Sequence, residues 1–244
     1  MLNIQNIVYF YDKKNTVLNN VSFNLNKGEL LTIAGPNGSG KTTLIKLIVD
    51  LLKIQEGSIS INKTFHDNPS VKKEIIYLSS EDFLPDFLTG KEYIEMICDF
   101  YETPLDKEKL SRLVEYYSLD SKLDQLIESY SHGMRKKIQL VSAFMINNKI
   151  IIIDETLNGI DVEAKEATKL LFEQYKRRGG SIIMCTHDLE LVEEIGYRVL
   201  LINNGVIYID DLIENILKTG SNLTNVFKGL IDYEGMKNEI EKYF

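Results

Sequence analysis

The chain has 244 residues, of which 44% are hydrophobic and 26% are charged, a balance that excludes a disordered or fibrous protein. This length accommodates one large α/β domain, or one domain with an inserted subdomain, but would cramp two full domains. The net charge of −8 argues against a broad nucleic-acid-binding face, which needs clustered Lys and Arg, so no nucleic-acid partner is expected.

Two absences in the sequence bear on the compartment. No apolar stretch approaches the roughly 18 to 20 residues that span a bilayer, and no signal-sequence pattern opens the chain. Cys98 and Cys185 are far apart and lack metal-ligand spacing, so neither a disulfide scaffold nor a zinc site is indicated. We expect a cytosolic chain in which both thiols are buried.

The first 61 residues are predicted to form several strands and one helix. Residues 1–25 alternate apolar and polar side chains, as do residues 57–61, which predicts antiparallel strands with one exposed face. Residues 30–34 are continuously apolar and partly β-branched, as in a buried parallel strand. Residues 43–52 are predicted to be helical.

Between that strand and helix, residues 35–42 fit the phosphate-binding pattern G-x-x-x-x-G-K-[ST] at every defined position. Glycines let the backbone bend around a polyphosphate, while successive amides and the helix N-terminus point positive dipole at it. Lys41 is expected to reach the β- and γ-phosphates and Thr42 to offer its hydroxyl to Mg²⁺. A glycine-rich turn that binds nothing is the alternative, which the flanking strand and helix disfavour. The predicted nucleotide-binding residues of this segment are Gly35, Pro36, Asn37, Gly38, Ser39, Gly40, Lys41, Thr42 and Thr43.

The rest of the chain consists of segments with helical periodicity and a segment in which predicted strands and helices alternate. After a predicted strand at residues 74–78, residues 83–147 form a predicted helical insertion, and residues 211–244 form a predicted helical tail. In between, strands at 150–153, 182–185 and 199–202 and helices at 162–176 and 189–195 indicate a parallel core. The turn at residues 203–205 predicts a hairpin to residues 206–209.

Polar side chains end two of the predicted parallel strands, where ligands of such sheets gather. Asp154 would hold Mg²⁺, directly or through water, and Glu155 would polarise a water for attack on the γ-phosphate. His187 follows the predicted strand at residues 182–185 and is expected to donate to the γ-phosphate or to the attacking water. The alternatives to these catalytic and metal-binding roles are acidic side chains on a solvent-exposed loop and a histidine with a structural role.

Ser131 precedes a predicted helix and is a natural N-cap for it. A Ser-x-Gly start, here Ser131 and Gly133, also presents amides and positive dipole to an anion, and the two roles are compatible. The basic run at residues 135–137 is interpreted as a solvated helix face or as a contact to one partner or nucleotide.

The order of these motifs resembles that of the ATP-binding subunits of ABC transporters, from about Ile4 to Gly205. Residues 130–134 stand where that family has its signature, and residues 159–161 match its D-loop. The resemblance implies an α/β fold: a P-loop NTPase core with a parallel sheet, an N-terminal antiparallel β subdomain and an inserted helical subdomain, all in one domain. It implies ATP with Mg²⁺ as cofactors, and Tyr11 as the aromatic residue that stacks on adenine.

The family also implies catalytic roles for Glu155, His187 and Lys41, and an ATP contact for Ser131 and Gly133. The sequence departs from its pattern in part. His132 and Met134 replace the second glycine and the glutamine of the signature, and residues 156–157 are Thr-Leu where Pro-Thr is usual. Residues 80–81 are Ser-Glu where a glutamine is usual, and which of them takes its place is open.

The resemblance further implies partners. Each ATP would lie between the phosphate loop of one protomer and the signature of another, in a homodimer or a heterodimer with a sister ATPase. The helical insertion would contact a separate integral membrane permease, which would hold the chain on the cytoplasmic face of the membrane. Residues 88–93 and 131–134, the latter followed by the basic run at 135–137, look like the branch that exports peptides, antibiotics or lipids. The alternatives are a soluble ABC-type ATPase in cofactor assembly or regulation, and a nucleotide-binding protein without hydrolysis.

Overall fold

The computed structural model describes residues 1–12, 15–81, 83–146, 148–195, 197–218 and 222–230. Its strands are Leu2–Asp12 (β1), Asn15–Leu25 (β2), Leu30–Ala34 (β3), Glu56–Ile61 (β4), Thr64–Phe65 (β5), Ile75–Leu78 (β6), Ile150–Asp154 (β7), Ser181–Thr186 (β8), Arg198–Asn203 (β9) and Val206–Leu212 (β10). Its α-helices are Lys41–Ile48 (α1), Pro69–Lys72 (α2), Gly90–Phe100 (α3), Lys107–Tyr116 (α4), His132–Met145 (α5), Val162–Arg177 (α6), Leu189–Ile195 (α7), Ile213–Leu217 (α8) and Leu223–Leu230 (α9).

The N-terminal strands form an antiparallel sheet in the order β2-β1-β4-β5. Ile4 of β1 lies between Phe23 of β2 and Ile59 of β4, and all three side chains are buried. Their outward neighbours are polar, as the alternation predicted. The antiparallel β subdomain of the predicted fold is therefore confirmed.

A second sheet has the order β10-β9-β3-β8-β7-β6 and is parallel apart from the hairpin of β9 and β10. Along β7, Ile150 and Ile152 pack into a core with α1 and the first sheet, whereas Ile151 and Ile153 pack into a core with the helical insertion. Both faces of the sheet are thus covered, which explains why its strands are continuously apolar. The predicted parallel core is confirmed.

The register of this sheet brings four strand ends to one edge. Ala34 of β3 pairs with Thr186 of β8, Cys185 of β8 pairs with Asp154 of β7, and β6 ends at Leu78 beside β7. The segments that follow these strands therefore leave the sheet side by side. Ligands of parallel sheets bind at this carboxyl edge.

The helical insertion begins its helices with side-chain caps. Thr89 and Glu92 form a reciprocal capping box at α3, Asp106 caps α4, and Ser131 caps α5 as predicted. Apolar faces of these helices pack on the sheet in one core with α6. The insertion is part of the fold as predicted, while its bounds as a domain stay a prediction.

Some elements have other bounds than predicted. The helix predicted at residues 43–52 begins two residues earlier, after Gly40, and ends at Ile48 because Asp50 adopts a left-handed φ of 58°. Strand β10 extends to Leu212, and the helices of the tail, predicted from about residue 211, begin at Ile213. The remaining parts of that tail, residues 219–221 and 231–244, lie outside the described residues.

Candidate nucleotide site

The phosphate loop, residues 35–42, joins β3 to α1 through glycines that no other residue replaces without strain. Gly35 has a φ of 157°, and a Cβ there would lie 2.1 Å from the carbonyl oxygen of Ile202. Gly40, at φ 104°, is the N-cap of α1 and offers no side-chain cap. The first amides of α1 therefore have no side-chain acceptor at the N-cap, which is the arrangement that binds phosphate.

Lys41 is almost completely buried inside this loop. Its Nζ donates to the carbonyl oxygens of Gly35 at 2.9 Å and of Pro36 at 3.0 Å. Burial lowers the pKa of Lys41, and the nearby carboxylates of Glu155 and Asp154 partly oppose that shift. The loop is thus folded around its own ammonium group.

Asp154 is fully buried at the end of β7. Burial raises its pKa, although a hydrogen bond from Thr42 and the charge of Lys41 act in the opposite direction. Tyr77 donates to its Oδ2 at 3.4 Å, whereas Oδ1 has no hydrogen-bond partner among the described residues. An unpartnered, buried carboxylate oxygen beside a threonine hydroxyl fits Mg²⁺, which prefers oxygen ligands.

Glu155 and His187 form a pair at the carboxyl edge of the sheet. His187 Nδ1 lies 2.8 Å from Glu155 Oε1, and both side chains are partly exposed. Glu155 adopts a left-handed φ of 55°, and its amide donates to the carbonyl oxygen of Cys185 at 3.0 Å. Such backbone strain in a non-glycine residue is common at functional sites.

A cleft of about 410 Å³ opens beside these groups. Tyr11 stands at its rim with 63% of its surface exposed, and the Tyr11 hydroxyl lies 3.3 Å from Thr43 Oγ1. The predicted Gly35, Pro36 and Ser39 do not line the cleft and belong to the back of the loop. The residues that line it are Tyr11, Val17, Asn37, Gly38, Gly40, Lys41, Thr42, Thr43, Ser80 and Glu155.

The signature segment lies elsewhere. Ser131 accepts a hydrogen bond from the amide of Met134 at 3.2 Å, so the predicted cap is present. Gly133 packs so closely on the D-loop that a Cβ would lie 3.1 Å from the carbonyl oxygen of Gly159. Neither Ser131 nor Gly133 is among the described residues that line the cleft.

Two residues at the site were missed or left open by sequence reasoning. Tyr77 reaches Asp154 from the neighbouring strand, and only strand order reveals that contact. Of the two residues that stand where a glutamine is usual, Ser80 lines the cleft and Glu81 does not.

The prediction of a solvated basic face was wrong, because Lys136 and Lys137 are both buried and both make polar contacts.

Cys98 and Cys185 are both buried, as predicted. Within the described ranges, no helix has the length and apolar character needed to cross a membrane.

The known proteins to which this chain is similar belong to one family. The family model described as "ABC transporter" matches residues 18–158, more than half of the chain. An uncharacterized ABC transporter ATP-binding protein, YdbJ, of Bacillus subtilis (strain 168) is 34% identical over 78% of this chain, which spans 63% of that relative's length. The zinc import ATP-binding protein ZnuC of Ehrlichia chaffeensis is 33% identical over 84% of this chain and 81% of its own.

The SkfA peptide export ATP-binding protein SkfE of Bacillus subtilis (strain 168) is 28% identical over 84% of this chain and 86% of its own. A solved structure described as an ATP-binding subunit of an ABC transporter is 27% identical, with a TM-score of 0.85 over 94% of this chain and 99% of that chain. The chain belongs to the ABC transporter family, as an ATP-binding ATPase domain of that family.

Proposed function

We propose that this chain hydrolyses ATP in a site shared between two ATPase protomers, and that it thereby drives export through a separate integral membrane protein. One observation carries the proposal. Lys41, Thr42 and Glu155 line one cleft, with Asp154 in contact with Thr42 and His187 in contact with Glu155. The second predicted ATP contact, at Ser131, does not line this cleft.

Each residue at the cleft has a role that its surroundings support. The amides of residues 37–43 and the ammonium of Lys41 bind the phosphates of ATP. Thr42 and Asp154 would hold Mg²⁺, which neutralises phosphate charge when bound. Glu155 polarises a water as the general base, and His187 orients the Glu155 carboxylate through the 2.8 Å contact.

The catalytic assignment is tested by Glu155→Gln. The amide cannot accept a proton, so we expect ATP turnover to fall by about 10²- to 10⁴-fold, while the affinity for ATP changes by less than about threefold. The measurements are steady-state phosphate release and fluorescent ATP binding. Glu190→Gln, an exposed carboxylate three residues after His187, is the matched control and should turn over normally. Near-normal turnover by Glu155→Gln would remove the general-base role.

The position of the signature supports a dimer. The start of α5 at Ser131 presents amides and helix dipole to an anion, yet lies away from the cleft of its own chain. Its anion is therefore the γ-phosphate bound by a second ATPase protomer, arranged head to tail. ATP binding closes this dimer and hydrolysis opens it.

The helical insertion carries the contact with the membrane partner, which holds the chain at the inner face of the membrane. Phe83, Phe87 and Phe100 expose 84%, 78% and 70% of their surfaces, and large exposed aromatics are enriched in interfaces. Purification of the tagged chain from gently solubilised native membranes should recover a polytopic membrane protein at about one copy per ATPase. Recovery of soluble proteins alone would favour a role in cofactor assembly or regulation.

Export is the direction that the motifs at residues 88–93 and 131–134 favour, and one relative is named for peptide export. Another is named for zinc import, so transport itself must be measured. In vesicles that carry the recovered partner with the ATPase on the outside, export moves substrate inward. ATP-driven accumulation of a peptide, antibiotic or lipid-like substrate supports the proposal, and ATP-driven loss of preloaded zinc would overturn it.

A further inference from the structure

Three consecutive basic residues tie α5 to three different parts of the molecule. Arg135 pairs with Asp86 in the segment before α3, and Lys137 pairs with Asp161 in the segment before α6. Between them, Lys136 Nζ donates to the carbonyl oxygen of Ser80 at 2.7 Å. Successive helical residues point about 100° apart, which is why one short run reaches three neighbours.

Lys136 differs from an ordinary surface lysine in its burial, because only 2% of its surface is exposed. Burying an ammonium group costs several kcal/mol unless hydrogen bonds compensate for the lost water. An unbranched apolar side chain such as methionine would fill the same space without that cost. The charge therefore has a use beyond packing, and its contact with Ser80 indicates which use.

Ser80 belongs to the nucleotide cleft. It follows β6, whose carboxyl end lies beside β7 and Asp154, and it lines the cleft together with Thr42, Thr43 and Glu155. Lys136 therefore holds the backbone of a cleft-lining residue from the outside. A nucleotide that moves the wall at Ser80 pulls on this hydrogen bond.

Lys136 also lies five residues after Ser131, about 7.5 Å along the axis of α5. An α-helix moves as a rigid element, so a displacement at Lys136 reaches the start of α5 almost undiminished. We propose that Lys136 is a positioning residue that couples nucleotide in the cleft to the orientation of Ser131. This inference rests on the proposed function, because it takes Ser131 to bind the ATP of a second protomer.

The test measures dimer formation with ATP in a Glu155→Gln background, which binds ATP without consuming it. Lys136→Met should need about tenfold more protein to dimerise, equivalent to about 1.4 kcal/mol. Lys136→Arg keeps a charged donor and should come within about threefold of the parent. Binding of fluorescent ATP to the monomer should change by less than about twofold, because Lys136 does not line the cleft.

Lys109→Met is the matched control. Lys109 is also partly buried and its Nζ also donates to a backbone carbonyl, that of Met145 at 3.3 Å, but at the far end of α5. Its removal should leave ATP-driven dimerisation unchanged. If Lys136→Met fails to fold, Lys136→Gln gives the same comparison, because it removes the charge and its side chain is one atom shorter than the one that reaches Ser80.

The possible outcomes test the coupling through Lys136 and the dimer separately. Dimerisation of Lys136→Met at the parental concentration overturns the coupling and leaves the proposed function intact. An equal loss of monomer ATP binding and of dimerisation also overturns it, because Lys136 would then act on the cleft alone. A Glu155→Gln parent that stays monomeric at saturating ATP overturns the dimer and the coupling with it.

Discussion

At the residue scale, two aspartates show how one side chain acquires opposite energetics from its surroundings. Burial raises the pKa of Asp154, so the ionised carboxylate opposes folding at neutral pH. Hydrogen bonds from Lys72 and Lys53 instead lower the pKa of Asp50 to about 2, so its ionised form supports folding. The ionised form of the first carboxylate thus costs stability, whereas that of the second adds stability.

Asp154→Asn should therefore stabilise the chain measured without nucleotide or metal. We expect the midpoint of thermal unfolding at pH 7.5 to rise by roughly 2–4 °C, the change that 1 kcal/mol produces at this size. A raised pKa means that the cost is present when the carboxylate is ionised, so the difference should fade as the pH falls towards about 4 and be absent below it. Stabilisation with loss of ATP turnover is the expected pair of results.

Asp50→Asn is the control of opposite sign. Its lowered pKa means that its contribution is complete above about pH 4 and is lost as the pH falls towards 2. The midpoint of unfolding should therefore drop at pH 7.5 and converge on the wild type in acid. Equal shifts of the two variants in one direction would contradict both pKa assignments.

At the element scale, two different constraints act against replacing the glycines of the phosphate loop. At some of them a side chain has no space, and at others the backbone conformation is unfavourable for a residue with a Cβ. At Gly35 a Cβ would meet the backbone of Ile202, which cannot yield. Gly38 has open space around it but a left-handed φ of 80°. The two positions therefore separate steric exclusion from conformational strain.

Gly38→Ala should cost about 1–2 kcal/mol in the free energy of unfolding, the usual cost of a left-handed L-residue. Gly35→Ala adds a steric clash and should cost about 2–4 kcal/mol and abolish ATP binding. Gly229→Ala, in open space on α9, should be neutral or slightly stabilising. Denaturant unfolding and ATP binding measure these effects, and a Gly35→Ala chain that binds ATP normally would refute the argument.

At the scale of the whole molecule, a head-to-tail dimer predicts complementation between two inactive variants. Lys41→Ala removes the phosphate contact, and Ser131→Arg places a bulky side chain at the start of α5. Neither homodimer retains an intact shared site. A mixed dimer contains one site with both an intact phosphate loop and an intact signature.

Mixing the two variants should restore ATP turnover to a substantial fraction of wild type, up to about half of the sites in the mixed dimers, whereas each variant alone stays inactive. The measurement is phosphate release against mixing ratio, which should peak near equal amounts. Ser131→Arg should still bind ATP as a monomer, since Ser131 does not line the cleft. If Ser131→Arg were active alone and turnover followed its fraction in the mixture, each chain would hydrolyse ATP within its own cleft and the head-to-tail dimer would be overturned.

The sequence by itself determined the parts whose physics is local. Glycines with left-handed φ next to Lys41 specify a phosphate loop, and a run of four isoleucines specifies a strand that is covered on both faces. Side-chain caps begin helices wherever they occur, so Ser131 was predictable as the start of α5. Parallel strands bring their carboxyl ends to one edge of a sheet, so the sequence also predicted that Asp154 and His187 lie at the same edge.

Only the tertiary structure decided which polar groups are enclosed and what they contact. Nothing local shows that Lys136 is buried on Ser80, that Tyr77 reaches Asp154, or that Ser131 lies outside the cleft of its own chain. Hydrophobic periodicity identifies the apolar face of a helix or strand, whereas the burial of its polar face depends on segments far away in sequence. Those distant contacts complete the surroundings of the phosphate-binding loop.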